Sequence, residues 1–360
     1  MAKIFYSVMG EGRGHATRAR ALAEQLRDRH QLTLLAPEDA YRFLAPLYND
    51  DPSVRVREIP GLRFHYTERR MDLIKTVRRG VRFRIAVGRH VRQLEEIIDR
   101  EKPDLAITDF EPLLPRAAVR RGIPYLSIDH QHFLLAYDLS ALPKKLRRYA
   151  KIMGLVVRAF HRWQAETVVS GFFFPPLRPG FEHVTQVGGL FRPELLAAEP
   201  YDGEHVVSYL RTHTPKRVLE ALHNCGREVR VYGLGARAAE GRLRFCEIHE
   251  QNFIRDLASC QAMIGAAGNQ LIGESLYLGK PVLALPESHH HEQIINAHFL
   301  EMMGCGAWSP PEALTREDMH SYLERGDEFR EKIAGYRDRL NGTPAAVAVI
   351  ERHLANMDNS

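Results

Sequence analysis

Each half of the chain contains a short apolar run, a turn rich in glycine and a helical pattern, in that order. In the first half, "KIFYSVM" (3–9) leads into "GEGRGH" (10–15) and a helical pattern that reaches Arg29. In the second half, "AMIGAAG" (262–268) leads into a helical pattern over 269–278. This order of strand, tight turn and helix is typical of an α/β unit, and it constrains the fold more than any other feature.

Further strand candidates alternate with helical patterns along the chain. They are "LTLLAP", "DLAITDF" and "PYLSIDH" in the first half, and "VVSYL", "EVRVYGLG", "LRFCEI" and "PVLALP" in the second. Strands separated by helices imply parallel sheets, with a ligand crevice at the carboxyl ends of the strands. We therefore predict an α/β protein with two Rossmann-like, doubly wound parallel-sheet domains that face each other across a cleft.

The chain is long enough for both domains. Its 360 residues, 44% of them hydrophobic, supply apolar material for two cores. A segment with two prolines and one glycine at 191–204 separates the two alternating regions. We predict an N-terminal domain over 1–195, a C-terminal domain over 205–340, and a final helix within 341–360 that packs back on the N-terminal domain.

Composition argues against several classes of protein. No apolar stretch approaches the roughly 20 residues that cross a bilayer, and the N-terminal run lacks a cleavage-type signal, so we expect a soluble, cytoplasmic protein. The cysteines form no C-x-x-C pair, which argues against a zinc ribbon, a redox motif or a disulfide framework. We expect ordinary buried thiols at Cys225, Cys246, Cys260 and Cys305.

The turn at 265–268 and the helix after it are suited to a diphosphate. Small residues let backbone approach a ligand, and the helix presents unsatisfied N–H groups and the positive end of its dipole. Carboxylates and amides beyond the turn could bind ribose and sugar hydroxyls. Taken singly, these features fit solvated polar residues better, but their order favours a site. The candidate donor-binding residues here are Gly268, Asn269, Gln270, Glu274, Glu292 and Gln293.

The spacing of these residues resembles the donor-binding motif of GT-B glycosyltransferases, especially the UDP-glucuronosyltransferase type and the membrane-associated N-acetylglucosaminyltransferase that forms lipid II. A glycine and a proline follow Glu274 by five and seven residues, and Asn296 follows Gln293 by three. The resemblance implies that Glu274 contacts the ribose and that Glu292 and Gln293 hold the donor sugar. Glu292 stands where Asp or Gln is usual, which leaves the sugar open.

The same resemblance gives the first glycine turn a role. It implies that His15 is the general base that takes a proton from the acceptor hydroxyl. Gly12 and Gly14 would let backbone N–H groups approach donor phosphate or acceptor, and Asp109, at a strand end, is a candidate to orient or assist the base. The structural alternatives are a helix cap for His15 and a turn or cap for Asp109. For the aspartate and histidine at 129–130, we favour the structural role.

Three consecutive histidines at 289–291 raise the question of a metal site. Adjacent residues on a loop rarely converge on one ion, and no partners recur nearby at ligand spacing. The resemblance also implies chemistry without a bound metal, with the helix dipole and side chains in place of a cation. We expect no metal and no cofactor beyond a nucleotide-sugar cosubstrate, which the resemblance suggests is a UDP-sugar.

Positive charge is concentrated in two stretches. Residues 61–100 hold 11 Lys and Arg against 5 Asp and Glu, and residues 143–162 hold 7 against none. Apolar residues recur there at helical spacing, which fits either a helix on an anionic membrane or a core-facing helix with a solvated charged face. We expect no nucleic-acid partner, because no recognition motif is present. The apolar positions are Ile74, Val77, Val81, Ile85, Val87, Val91, Leu94, Ile98, Ile152, Leu155, Val156, Ala159, Phe160 and Trp163.

These features together predict an inverting glycosyltransferase of the hexosyltransferase type. The nucleotide sugar would bind the C-terminal domain, and the acceptor hydroxyl the N-terminal one. If the basic helices bind membrane, the acceptor is a lipid or lipid-linked saccharide and the protein is peripheral on the inner face of the cytoplasmic membrane. One alternative is a UDP-sugar hydrolase on the same fold, since "GRGHATR" also fits a G-x-G-H-x-x-R loop. Another is a basic membrane-peripheral binding protein without activity.

Overall fold

A computed structural model describes residues 1–10, 13–61, 66–67, 70–71 and 73–358, with side chains in these ranges except at 66–67, 70–71, 73–86 and 358. The chain divides into two compact units. Unit 1 comprises Met1–Arg192 and Gly342–Ser360, and unit 2 comprises Pro193–Asn341. Among the described residues, no helix is both long enough and apolar enough to span a membrane.

Unit 1 is built on a seven-stranded parallel sheet in the order β3-β2-β1-β6-β7-β8-β9. Its strands, with the separate hairpin β4–β5, are β1 Lys3–Val8, β2 Gln31–Ala36, β3 Val54–Glu58, β4 Tyr66–Thr67, β5 Arg70–Met71, β6 Leu105–Asp109, β7 Tyr125–Asp129, β8 Glu166–Ser170 and β9 Thr185–Val187. Its helices are α1 Arg13–Leu26, α2 Glu38–Leu44, α3 Leu73–Glu101, α4 Leu113–Arg120, α5 Phe133–Ala136, α6 Lys144–Phe160 and the C-terminal helix α15 Thr343–Asp358, with a 3-10 turn at Ala45–Leu47.

Helices cover both faces of the unit 1 sheet. Every residue of β6 and β7 is buried, as expected for central parallel strands between two helical layers. The alanine-rich face of α1 and the apolar face of α15 pack on one side of the sheet, and the C-terminal half of α3 packs with α4 on the other. The C-terminal segment of the chain therefore completes the core of unit 1.

Unit 2 has a second seven-stranded sheet, in the order β12-β13-β11-β10-β14-β15-β16, parallel except for β12. Its strands are β10 Val206–Tyr209, β11 Val229–Tyr232, β12 Arg237–Glu240, β13 Leu243–Phe245, β14 Ala262–Gly265, β15 Val282–Ala284 and β16 Gly306–Trp308. Its helices are α7 Pro193–Leu196, α8 Lys216–His223, α9 Glu250–Ala258, α10 Asn269–Tyr277, α11 His291–Met302, α12 Arg316–Glu324, α13 Gly326–Ala334 and α14 Arg337–Leu340.

In both sheets the strand order reverses next to the first strand. In unit 1 the reversal falls between β1 and β6, where Val8 pairs with Asp109. In unit 2 it falls between β10 and β14, where Tyr209 pairs with Gly265. Ligands of doubly wound sheets bind outside the carboxyl ends of the strands at such a reversal. The structure thus confirms the predicted α/β class with two doubly wound parallel sheets, and it directs attention to these two strand ends.

Several local expectations change. Helix α1 begins at Arg13, inside the predicted glycine turn, so Gly14 and His15 lie in its first turn and not in a loop. Gly12 lies outside the described residues. Cys246 is half-buried, contrary to expectation, because it follows the end of β13, whereas the other three free cysteines are buried.

The two basic helices differ in how they use their apolar residues. On α3, Val91, Leu94 and Ile98 are buried in the core of unit 1. The predicted apolar and basic positions at 74–85 lie outside the side chains that the structure describes. On α6, Ile152 and Leu155 are exposed. The core-facing interpretation therefore applies to the second half of α3 but not to these positions of α6.

Candidate functional site

The first candidate centre, in unit 1, joins the first turn of α1 to the end of β6. His15 Nδ1 lies 2.9 Å from Oδ1 of Asp109. Asp109 is fully buried, whereas the side chain of His15 retains some exposure. The pairing of β1 with β6 brings these residues together, because the chain leaves β1 beside the carboxyl end of β6 and turns at once into α1. The structure therefore brings the two predicted catalytic residues into contact.

Arg18, one turn after His15, completes this centre. Its Nε and Nη2 each lie 2.9 Å from an oxygen of Asp109, which makes a bidentate ion pair. Its Nη2 also lies 2.9 Å from Nδ1 of His15. Nδ1 donates to the carboxylate when protonated and accepts from the guanidinium when not, so these two contacts of the ring belong to different tautomers. The proton position on His15 is thus tied to two charged neighbours.

Charge pairing dominates the electrostatics of this centre. Burial by itself would raise the pKa of the Asp109 carboxyl, but the Arg18 guanidinium and the His15 ring together hold it below its usual value. Burial would likewise lower the pKa of Arg18, and the Asp109 carboxylate more than offsets this. Asp109 is therefore a carboxylate, and it can hold the His15 ring in the tautomer that leaves Nε2 unprotonated.

A second buried aspartate–histidine pair lies at the end of the neighbouring strand β7. Asp129 Oδ2 accepts from Ser127 Oγ and from Nδ1 of His132, both at 2.7 Å, and Oδ1 accepts from the His132 backbone N–H at 2.9 Å. His130, singled out from the sequence, instead places Nδ1 2.9 Å from the carbonyl oxygen of Ser170. At the end of β7, Asp129 is therefore paired with His132 and not with His130.

Two further buried groups line the same strand ends. Burial raises the pKa of Glu111 to about 7, although its oxygens accept from the backbone N–H groups of Leu113 and Leu114 at the start of α4. Burial lowers the pKa of His161 to about 3, with the charge of His132 acting in the same direction. In both groups burial shifts the pKa in the direction that favours the neutral form.

The second candidate centre, in unit 2, is the turn between β14 and α10. A Cβ at Gly265 would lie 2.6 Å from the backbone oxygen of Tyr209, so only glycine allows the close approach of these strands. A Cβ at Gly268 would meet no atom within 4 Å. Gly268 caps α10, whose first residue Asn269 is buried. The turn thus leaves open space beside the positive end of a nine-residue helix.

Two predicted donor-binding residues bind each other on α10. Gln270 Nε2 donates to Oε1 of Glu274 at 3.0 Å, a contact between residues four apart on one helix face. Glu274 is buried, with little of its side chain exposed to solvent. The amide of Gln270 therefore fixes the orientation of the Glu274 carboxylate.

Two polar residues of helix α11 bind backbone atoms of neighbouring loops. Nδ2 of Asn296 donates to the carbonyl oxygen of Ala267 at 2.9 Å, and the buried Gln293 accepts from the backbone N–H of Glu287 at 3.0 Å. Glu292 lies half-buried in the first turn of α11. The structure thus holds Gln293 and Asn296 against the loops around α10, and it leaves Glu292 as the more accessible of the predicted sugar-binding residues.

The triple histidine has a local structural role. His290 is the N-cap of α11, and its ring accepts from the backbone N–H of Gln293 at 3.4 Å. Within the ranges that the structure describes, no three His, Cys, Asp or Glu side chains are grouped so as to hold a metal ion.

Arg18 and His132 were not among the predicted site residues. Arg18 could have been found from its spacing, because residues three apart on a helix share a face and His15 was already a candidate. His132 gave a weaker signal, since it lies three residues beyond Asp129 across a turn that the sequence does not define. Each of the two residues binds a buried aspartate at a strand end: Arg18 binds Asp109, and His132 binds Asp129.

Comparison with known proteins relates the chain to enzymes of sugar transfer. The model of a family described as glycosyl transferase family 1 matches residues 2–326. A protein of Methanosarcina mazei described as an uncharacterized glycosyltransferase is 25% identical over 392 residues, which cover 97% of this chain and 98% of that protein.

Solved structures show the same fold at low sequence identity. The glycotransferase of kitacinnamycin has a TM-score of 0.70 and 18% identity, covering 98% of this chain and 99% of its own. LpCGTa, solved in complex with UDP, has a TM-score of 0.68 and 17% identity, with the same two coverages.

Proposed function

Because the chain belongs to glycosyl transferase family 1 and is a glycosyltransferase of the GT-B fold, we propose that it transfers a hexose from a UDP-sugar to an acceptor hydroxyl with inversion at the anomeric carbon. The observation that carries this proposal is the contact between His15 Nδ1 and Asp109. With Nδ1–H donated to that carboxylate, Nε2 has a free lone pair and can take the hydroxyl proton as the oxygen attacks. Direct attack by the acceptor gives inversion.

Unit 2 supplies the donor side of this proposal. The open space beside Gly268 and the first turn of α10 suit a diphosphate, because backbone N–H groups and the helix dipole favour negative charge there. Glu274, oriented by Gln270, accepts from ribose hydroxyls, and Glu292 with Gln293 binds the sugar. The complex of LpCGTa with UDP supports the choice of nucleotide. We assign no metal or other cofactor to the reaction.

For the acceptor we propose a lipid or lipid-linked saccharide, used at the cytoplasmic face of a membrane. The support is the positive charge of residues 143–162, which hold 7 Lys and Arg and no Asp or Glu. Anionic membrane surfaces attract such segments. The family match favours sugar transfer over the hydrolase and the inactive binding protein that the sequence left open.

The donor can be identified by thermal-shift measurements with UDP and a panel of UDP-sugars. A ligand at about 100 times its dissociation constant adds about 2.7 kcal/mol to the stability of the folded state. The preferred donor is then incubated, with its sugar radiolabelled, with and without a polar-lipid extract. Transfer predicts label in the lipid phase and little UDP release without lipid. Equal UDP release in both reactions would indicate a hydrolase instead.

The role of His15 is tested by the variant His15→Ala, with His90→Ala as the matched control. His90 lies on α3 of the same unit, where its ring contacts Gln93. His15→Ala should remove transfer and leave the dissociation constant of UDP, measured by titration calorimetry, within about twofold, a difference of under about 0.5 kcal/mol. His90→Ala should change neither. An equal loss of transfer and of UDP binding in His15→Ala would deny His15 the role of base.

A further inference from the structure

We propose that the outward face of helix α6, together with Trp163, docks this protein on an anionic phospholipid surface. We call this face, formed by Arg148, Lys151, Ile152, Leu155 and Trp163, the α6 face. The inference rests on the proposed function for its biological purpose, since a lipid-linked acceptor requires access to a membrane. Its physical basis is independent of sugar transfer.

The opposite side of α6 is firmly packed. Leu146, Ala150, Gly154 and Val157 are buried. A Cβ at Gly154 would lie 3.0 Å from Cδ2 of Leu135 on α5, so the two helices are in close contact. The helix therefore already has a core-facing side, and apolar residues on its other side are not needed for folding.

Large apolar side chains on the other side are solvent-exposed. Ile152 is 55% exposed and Leu155 is 64% exposed, and the two lie three residues apart on one helix face. Trp163, just beyond the end of the helix, is 77% exposed and has a φ of +63°, a conformation uncommon for a residue other than glycine. Large apolar side chains that share an exposed helix face, as Ile152 and Leu155 do, indicate an interaction surface.

The charge around these residues has one sign. Residues 143–162 contain 7 Lys and Arg and no Asp or Glu, and none of these cations lies within 4.0 Å of a carboxylate in the described part of the chain. Arg148 and Lys151 share the outward side of the helix with Leu155, at spacings of seven and four residues. Among the side chains that the structure describes, these cations are thus not neutralised by ion pairs.

An anionic bilayer matches both properties at once. Lys and Arg can keep their charged ends at the phosphates while their stems lie along apolar surface, and Trp favours the interface between water and hydrocarbon. Apolar side chains among cations are typical of helices that lie in the plane of a membrane surface. A nucleic acid would leave Ile152 and Leu155 without a counterpart, so the bilayer is the better occupant.

Vesicle binding tests this directly, without donor or acceptor. In the variant Trp308→Phe, Trp163 is the one remaining tryptophan of the two in the sequence and becomes the reporter. Vesicles with a phosphatidylglycerol fraction of about 30% should shift its emission to shorter wavelength and sediment with the protein, whereas phosphatidylcholine vesicles should do neither. Raising salt from about 0.1 M to about 1 M shortens the Debye length from about 10 Å to about 3 Å and should release the protein.

Charge variants separate this face from the net charge of the protein. Each cation near an anionic surface strengthens binding about fivefold, so Arg148→Gln with Lys151→Gln should weaken it about 25-fold. The matched control is Arg42→Gln with Arg55→Gln, two exposed arginines elsewhere in unit 1. The control should retain at least a third of the affinity of the unchanged protein, a loss of under about 0.7 kcal/mol. Equal losses in the two double variants would overturn the proposal.

Apolar variants test insertion. Leu155→Ser with Ile152→Ser should weaken binding at least about tenfold, while Leu47→Ser, at an exposed leucine of the same unit, should not. Circular dichroism checks that each variant is folded. Equal binding to neutral vesicles, unchanged binding in the α6 variants, or a dimer that only the α6 variants abolish would each overturn the proposal. Vesicle binding with no transfer of sugar would instead reject the proposed function and leave this inference standing.

Discussion

The first turns of α1 and α10 occupy equivalent positions in their sheets but are stabilised by different interactions. Each follows a strand next to the reversal of strand order in its sheet. At α1 a buried ion pair is central: the Asp109 carboxylate accepts from Nε and Nη2 of Arg18, and it also contacts the ring of His15. At α10 the turn is made of small residues, and the carboxylate of Glu274 on the helix is held by the neutral amide of Gln270.

This difference indicates where stability and binding depend on the same residues. Charges buried at α1 must remain paired, so a change that impairs the chemistry there also affects folding. The turn at α10 uses backbone and open space, so its folding and its binding function can be separated by choosing the position of a substitution. The following predictions test that contrast.

The largest effect is expected for Asp109→Asn. The variant keeps the side-chain shape but leaves the buried Arg18 cation without its counter-charge. We expect unit 1 to lose about 3–5 kcal/mol of stability, and transfer to be lost with it. Hydrogen–deuterium exchange, read separately for peptides of the two units, should show faster exchange in unit 1 only.

The matched control for this variant is Asp99→Asn, in the same unit. Asp99 pairs with Arg121 at 2.7 Å at the exposed surface, where ion pairs contribute little. Exchange should remain close to that of the unchanged protein. If exchange becomes faster to a similar extent in both variants, the buried ion pair at α1 stabilises unit 1 no more than an exposed ion pair does.

Acid should reduce the difference in the free energy of unfolding between the unchanged protein and Asp109→Asn. The pKa of Asp109 is lowered in the folded state, so its contribution to stability is present above the unfolded pKa of about 3.9 and is lost as the pH falls through the folded value. Urea unfolding of the two proteins at pH 7 and at about pH 3 should give a smaller difference at the lower pH. A constant difference would mean that the charge of Asp109 does not stabilise the fold.

Much of the fold followed from the sequence because strands and helices alternate with clear period and turn residues. The apolar runs beginning at Lys3 and Ala262 each became a strand followed by a helix. Helix starts were predicted less accurately: α1 begins at Arg13, within a stretch whose three glycines are typical of a loop. The exposure of Ile152 and Leu155 was not predictable, because periodicity alone does not say which side of a helix meets the core.

The candidate site was predicted less completely than the fold. The sequence named His15 and Asp109 but not Arg18, which joins them, since a contact across 91 residues has no local pattern. It also considered the histidine directly after Asp129, for which it favoured a structural role, and it did not name His132, which the turn brings back to that carboxylate. Pairings of this kind depend on where the chain turns after a strand.

Two glycines of the turn before α10 differ in the space available for a side chain. Gly265→Ala places a Cβ 2.6 Å from a backbone oxygen of Tyr209, so unit 2 should lose about 1–3 kcal/mol of stability. Gly268→Ala meets no atom within 4 Å, and its stability should change by less than about 0.5 kcal/mol. Gly268→Ala should nevertheless weaken UDP binding in calorimetry, because the methyl group enters the proposed diphosphate space. An unchanged affinity for UDP would show that the space beside Gly268 does not bind the diphosphate.

The smallest effect is expected for Glu292→Ala, and its control makes it interpretable. Glu292 and Glu317 both occupy the second position of a helix, in α11 and α12. Each carboxylate interacts with its helix dipole, so either alanine variant should cost about 0.3–1 kcal/mol of stability. Only Glu292→Ala should weaken the full UDP-sugar more than UDP itself in calorimetry, because Glu292 is assigned to the sugar and not to the nucleotide. An equal loss of affinity for UDP and for the UDP-sugar would indicate that Glu292 contacts the nucleotide and not the sugar.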